Sequence, residues 1–188
     1  MLWTLPNLLT LGRVVAVPVI VGLMFVPSDA VRWLAALLFA AAAVTDWFDG
    51  WLARARGQTS AFGRFLDPIA DKVLVILVLV MLVADGTVAH VHVVAVLVIV
   101  AREILVAGLR EFLAGDSVAM PVTFLAKCKT TVQLVAIVVL MVAPMTGQAV
   151  HVVGLVLLWA AAAATAVTGA DYLRRGIAHV VARDRAGG

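Results

Sequence analysis

Apolar residues fill this chain in long blocks, with neither the two-residue alternation of a half-buried strand nor the polar stripe of a surface helix. Val73 to Ala84 and Val93 to Ala101 contain no charged residue, and similar blocks lie on either side. Short clusters of turn formers interrupt them: Pro27-Ser28-Asp29, Ala84-Asp85-Gly86, Gly115-Asp116-Ser117 and Pro144-Met145-Thr146-Gly147. The pattern predicts six segments, at 7–26, 31–53, 65–84, 89–112, 122–143 and 149–172. Each is close to the roughly 20 apolar residues that cross a bilayer. Backbone polar groups in hydrocarbon must be satisfied internally, and without dyad alternation that means helices rather than a barrel. The expected fold is an all-α integral membrane protein with six transmembrane helices, a single transmembrane domain over 1–188 with no room for a soluble unit. No internal repeat or low-complexity linker divides it, and the first segment, lacking an early basic stretch and a small-residue cleavage site, reads as a retained helix.

Composition agrees. Of 188 residues, 64% are hydrophobic and 13% charged, against about half and about a quarter in a soluble domain, and the mean hydropathy is +1.13. Thirteen of the 14 Lys and Arg sit at one set of helix ends: Arg13, Arg54, Arg56, Arg64, Lys72, Arg102, Arg110, Lys127, Lys129, Arg174, Arg175, Arg183 and Arg185. Only Arg32 falls in the opposite connectors. The positive-inside rule then puts both termini and the second and fourth connectors in the cytoplasm. The net charge of +3 therefore describes one membrane face, and the basic tail reads as a contact with anionic membrane lipid; no nucleic-acid partner is expected. The single cysteine, Cys128, excludes an intramolecular disulfide.

The informative residues are the charges inside the spans. At about 100° per residue, Asp46, Asp49, Gly50 and Ala53 share one helical face, and Gly63, Asp67 and Asp71 share another. Two neighbouring helices would aim four carboxylates at each other. Each costs at least about 2.5 kcal/mol in a span, and together they repel, so cations must lie among them. Arg54, Arg64 and Lys72 offer one solution, a structural ion-pair cluster. Short, acceptor-only aspartates suit hard divalent cations better, and oxygen-only ligands point to Mg²⁺ or Mn²⁺, which complete their shells with phosphate and water. Gly50, Ala53 and Gly63 on the same faces leave room for a bulky ligand, or for close helix packing.

Asp46, Asp49-Gly50, Ala53-Arg54, Gly63, Asp67 and Asp71, eight positions at fixed gaps, resemble the signature of the CDP-alcohol phosphatidyltransferase family. The resemblance implies six membrane helices around a polar cavity open to the cytoplasm, a homodimer, and a place in the bacterial plasma membrane. It also implies transfer of a phosphatidyl group from a CDP-lipid to an alcohol, with release of CMP. Carried over by position, Asp46, Asp49, Asp67 and Asp71 would bind the metals, two ions in all, Asp71 would also act as base, and Gly50, Ala53, Arg54 and Gly63 would hold the CDP-lipid. Asn7, Thr10 and Arg13 share a face of the first helix and read either as lining of the same cavity or as surface residues near the helix start.

Flanking segments narrow the resemblance. Leu5 to Arg13, Ala101 to Phe112 and Leu125 to Gln133 are similar to bacterial members of the family whose acceptor is glycerol 3-phosphate, with CDP-diacylglycerol as donor. Chemistry points the same way, because a phosphate-bearing acceptor is a dianion and needs fixed cations near the metals. Arg110 and Lys129, with Arg102 and Lys127, supply them; each could instead snorkel to the interface, most readily Lys127 and Arg102. Glu103 and Glu111 read as orienting these bases, and the last helix and tail carry nothing specific. Other acceptors of the family, inositol phosphate, inositol or serine, remain alternatives, and so does a divalent-cation or proton transporter. His90, His92, His151 and His179 read as interface or solvent residues, and no nucleophile motif supports a covalent route.

Overall fold

The computed structural model describes residues 5–56, 61–115 and 124–187, with side chains over 10–45, 69–113, 128–178 and 180–181. The described chain is all helix: α1 Leu5–Met24, α2 Asp29–Arg56, α3 Ala61–Ala84, α4 Val93–Gly115, α5 Phe124–Thr146 and α6 Gln148–Gly187, with one 3₁₀ turn, His90–His92, leading into α4. Helix α1 packs on α2 and α3, α6 packs on α4 and α5, and α2 meets α5, so the six helices form one bundle.

The interior is apolar: Ile20, Phe39, Val78, Leu82, Ile99, Ile137, Leu140 and Leu158 are fully buried. The outside is apolar too, with Leu11, Val15, Leu37, Leu97, Ile104, Val156 and Val167 exposed. Helices that are hydrophobic all round are stable only where the surroundings are also apolar. Among the described residues three stretches, His90–Leu113, Cys128–Thr146 and Gln148–Ala178, are long and apolar enough to cross a membrane, and Thr10–Met24 is a shorter apolar helix.

Turn chemistry sets the helix ends. Asp29 opens α2, and Gly86 and Gly147, at φ +79° and +103°, end α3 and α5 in the left-handed region that glycine adopts without strain. The Gly147 amide donates to Ala143 O at 3.1 Å, which satisfies one of the last carbonyls. Most helix ends differ from the sequence expectation by one to four residues, and two differences have a clear physical reason. Pro144, expected in a connector, lies in the last turn of α5. Helix α6, expected to stop at 172, continues to Gly187: hydropathy registers where the apolar solvent ends, whereas Leu173, Arg174, Arg175, Ala178 and Ala182 keep the backbone helical beyond it.

One end of the bundle is closed by a polar clamp. Arg32 pairs with Asp85 at 2.8 Å and donates to Thr87 Oγ1 at 2.9 Å and Met141 O at 2.8 Å. The His151 Nε2 lies 2.7 Å from Thr87 O, and Trp159 donates to His92 Nδ1 at 3.0 Å. Helices α2, α5 and α6, the 3₁₀ turn and the loop after α3 are thus tied together. His92 and His151 are half-buried hydrogen-bonding residues here, in keeping with an interfacial reading, whereas His179 lies outside the described side chains.

Candidate active site

The charged cavity lies toward the other end. Asp71 and Lys72 from α3, Arg102, Glu103, Val106, Ala107 and Arg110 from α4, Lys129 and Thr130 from α5 and Tyr172 from α6 line about 140 Å³. That is well below the roughly 300 Å³ or more of a drug-sized pocket and suits a small polar group. Helical periodicity assembles it: Arg102, Val106 and Arg110 recur at i, i+4 and i+8 along α4.

Its electrostatics rest on one shared carboxylate. Lys129 Nζ pairs with Glu103 Oε1, and Arg102 Nη1 lies 3.5 Å from the same oxygen. Arg102 Nη2 also donates to Thr168 Oγ1 at 3.4 Å, and Arg110 Nη2 donates to the Tyr172 hydroxyl at 3.2 Å. Both guanidiniums lie over the Tyr172 ring, at 5.7 Å for Arg102 and 5.0 Å for Arg110. Lys129 is only 4% exposed, so its ammonium is held inside the bundle and does not reach out to the interface. Arg102, with 12% of its side chain exposed, is turned inward as well. Three cations and one carboxylate leave two positive charges, and Asp71 and Lys72 add one of each sign. Arg102 Nε, Arg110 Nε and Gln133 Oε1 are buried with no hydrogen-bond partner among the described residues.

The structure therefore brings together Asp71, Arg102, Arg110 and Lys129, and it gives Glu103 the orienting role expected of it; Glu111 is exposed. Thr10 and Arg13 are buried, at 2% and 3% exposure, rather than on the surface, but they are not among the residues that line this cavity. The backbone of Asp46, Asp49, Gly50, Ala53 and Arg54 is helical in α2, that of Gly63 and Asp67 in α3, Asn7 lies in α1 and Lys127 in α5; the side chains of all nine lie outside those described. Among the described residues no three His, Cys, Asp or Glu form a metal cluster, and three of the four aspartates fall outside that set. What the structure offers is an unbroken helical backbone under both aspartate pairs and an acceptor-only donor set, a fit to hard divalent ions. The last helix, which adds nothing specific to the sequence resemblance, contributes Tyr172 to the lining, and its Thr168 and Gly169 lie against Arg102. The legible signal was that Tyr172 is the chain's one tyrosine, set where the apolar block ends.

An all-helical bundle of membrane-crossing hydropathy, with a charged cavity at one end beside a helix-borne aspartate motif, defines a class of membrane-embedded protein that handles anionic ligands. The chain belongs to the CDP-alcohol phosphatidyltransferase family, whose pattern it matches over residues 3–167. It is 44% identical over 172 residues to a Rickettsia bellii protein named CDP-diacylglycerol--glycerol-3-phosphate 3-phosphatidyltransferase, covering 90% of this chain and 93% of that one. Proteins of the same name from Shigella flexneri serotype 5b and Cereibacter sphaeroides are 40% and 37% identical, over 92% and 95% of this chain and 94% and 97% of theirs.

Proposed function

We propose that this chain transfers the phosphatidyl group of CDP-diacylglycerol to glycerol 3-phosphate, giving phosphatidylglycerol phosphate and CMP. It acts as a homodimer of six-span protomers in a bacterial plasma membrane, with the charged cavity open to the cytoplasm. The observation that carries this reading is that Asp71 shares one small cavity with Arg102, Arg110 and Lys129: a proton acceptor beside a site for a dianion. Names borne by relatives at 37–44% identity over nearly the whole chain support the donor and the acceptor.

Asp46, Asp49, Asp67 and Asp71 would hold two Mg²⁺ or Mn²⁺ ions, whose chemistry is to neutralise the diphosphate of the donor and the charge that builds on departing CMP. Gly50, Ala53 and Arg54 hold the cytidine diphosphate part, and Gly63, Asn7 and Thr10 complete the contacts to the CDP-lipid. Arg110 and Lys129, with Arg102 and Lys127, hold the phosphate of the acceptor and turn its primary hydroxyl toward the β-phosphorus. Asp71 accepts the hydroxyl proton as the new phosphorus–oxygen bond forms and the bond to CMP breaks. The far end supports a one-sided enzyme cavity over a transport route: between Asp71 and Asp85 the buried residues of α3 are Leu74, Val75, Val78, Leu79, Met81 and Leu82, all apolar, over roughly 20 Å of helix.

The test is CMP release by purified protein given CDP-diacylglycerol and, in turn, glycerol 3-phosphate, inositol phosphate, inositol or serine. Turnover with glycerol 3-phosphate, lost on removing divalent ions and restored by adding them, is the expected result. A requirement for inositol phosphate would overturn the acceptor.

A further inference from the structure

Besides the carboxylate of Glu103, which pairs with Lys129 and lies near Arg102, the proposed acceptor site supports its two arginines through uncharged groups of α6. Tyr172 is 5% exposed and lies under both guanidiniums, its ring 5.0 Å from Arg110 and 5.7 Å from Arg102, with its hydroxyl accepting from Arg110 at 3.2 Å. Three residues earlier, Gly169 receives the stem of Arg102: a Cβ there would stand 2.6 Å from Arg102 Cγ. That atom is near the root of the side chain, so no rotation of the far end relieves the clash. Thr168, beside it, accepts from Arg102 Nη2 at 3.4 Å while its own hydroxyl donates back to Ala164 O at 2.8 Å.

We infer that Tyr172 and Gly169 are positioning residues that fix Arg102 and Arg110 for a dianionic phosphate without neutralising them, and so set selectivity for a phosphorylated acceptor. A carboxylate in the place of Tyr172 would hold the same guanidiniums and cancel the charge the ligand needs. An aromatic face and a neutral hydroxyl orient them by cation–π attraction and one hydrogen bond, adding no negative charge to that of Glu103, so that two of the three cationic charges of Arg102, Arg110 and Lys129 are left for the ligand. Gly169 supplies the complementary part, close approach of α4 to α6 at the depth where Arg102 must lie flat. The inference rests on the proposed acceptor reading and goes beyond it in placing the determinant at positions beyond the family match over residues 3–167.

The experiment measures KM for glycerol 3-phosphate and for CDP-diacylglycerol, kcat, glycerol 3-phosphate binding by calorimetry, and melting temperature, for Tyr172→Phe, Tyr172→Leu, Gly169→Ala and, as a control, Arg110→Ala. Loss of one hydrogen bond to a charged group corresponds to roughly 10-fold. Tyr172→Phe should therefore raise KM and Kd for glycerol 3-phosphate about 10-fold, with KM for the CDP-lipid and kcat at saturation within twofold. Tyr172→Leu and Gly169→Ala should raise them more, with the phenylalanine variant intermediate. If Arg110→Ala raises KM for glycerol 3-phosphate while folded Tyr172→Phe and Tyr172→Leu leave it unchanged, or if they raise both KM values alike, the inference fails and the acceptor reading stands. If Arg110→Ala leaves that KM unchanged, the acceptor reading itself fails.

Discussion

Lys129 shows what a single buried cation demands. Its ammonium lies inside the bundle beside Glu103, which also faces Arg102. Removing one partner of a buried pair strands the other charge, at about 3–5 kcal/mol. Glu103→Ala should thus lower the melting temperature in detergent by many degrees, a larger loss than Glu111→Ala at its exposed site; equal effects would show that Glu103 carries no buried partner. Asp71 is a different case, because its part is chemical. Asp71→Asn keeps the shape of the side chain and removes the proton acceptor, so turnover should fall at least 10²-fold while binding of CDP-diacylglycerol, read by calorimetry, stays largely intact. Loss of both together would remove its role as base. At this scale the sequence was informative wherever a charge stood in an apolar block, as at Asp71, Arg102, Arg110 and Lys129. It marked Tyr172 only as the one tyrosine and did not mark Gly169, because a tyrosine at the end of a membrane helix and a glycine in its last apolar turns are common for reasons unrelated to any site.

The sixth helix packs against α4 and α5. Its glycines mark where neighbours press closest: Gly154 against Leu140, where a Cβ would stand 2.8 Å from Cδ2, and Gly176 against Leu109, at 2.6 Å. Gly169 and Gly176 are seven residues apart, as are the Arg102 and Leu109 they receive, so α4 and α6 run side by side in register. Without a hydrophobic drive between helices in lipid, such close approach is what holds them. Gly154→Val should destabilise the α5–α6 pair by about 1–3 kcal/mol, seen as a lower melting temperature with KM for both substrates unchanged, since Gly154 lies far along α6 from the cavity. A selective rise in either KM would contradict that separation. Element existence was legible because blocks of about 20 apolar residues have few other solutions. Element ends were not, and α6 is the example: 40 residues of helix make about 60 Å, about twice the hydrocarbon thickness.

Across the whole molecule the two ends differ in kind. One is shut by the Arg32, Asp85, Thr87 and His151 clamp over an apolar core; the other carries the cavity and nearly all the cations. The proposed orientation predicts that, in a Cys128→Ser background, Val91→Cys reacts with an impermeant maleimide on intact cells after the outer membrane is opened. Ile177→Cys should react only when the plasma membrane is also breached. Both positions are well exposed, at 62% and 59%. Labelling of both from one side would reject the topology.

The amino-acid sequence determined the apolar surroundings of this protein, its helical class and its family, because each is written in local composition or in fixed spacings along the chain. Which cations share a cavity, which carboxylate they share, and that an uncharged wall from the last helix orients them were decided only when α3, α4, α5 and α6 packed. Those contacts join residues as much as 70 positions apart, as between Arg102 and Tyr172. Helical periodicity fixes which side of its own helix a residue occupies, but the partner it meets depends on how neighbouring helices pack, and that is set by side-chain shape at each crossing.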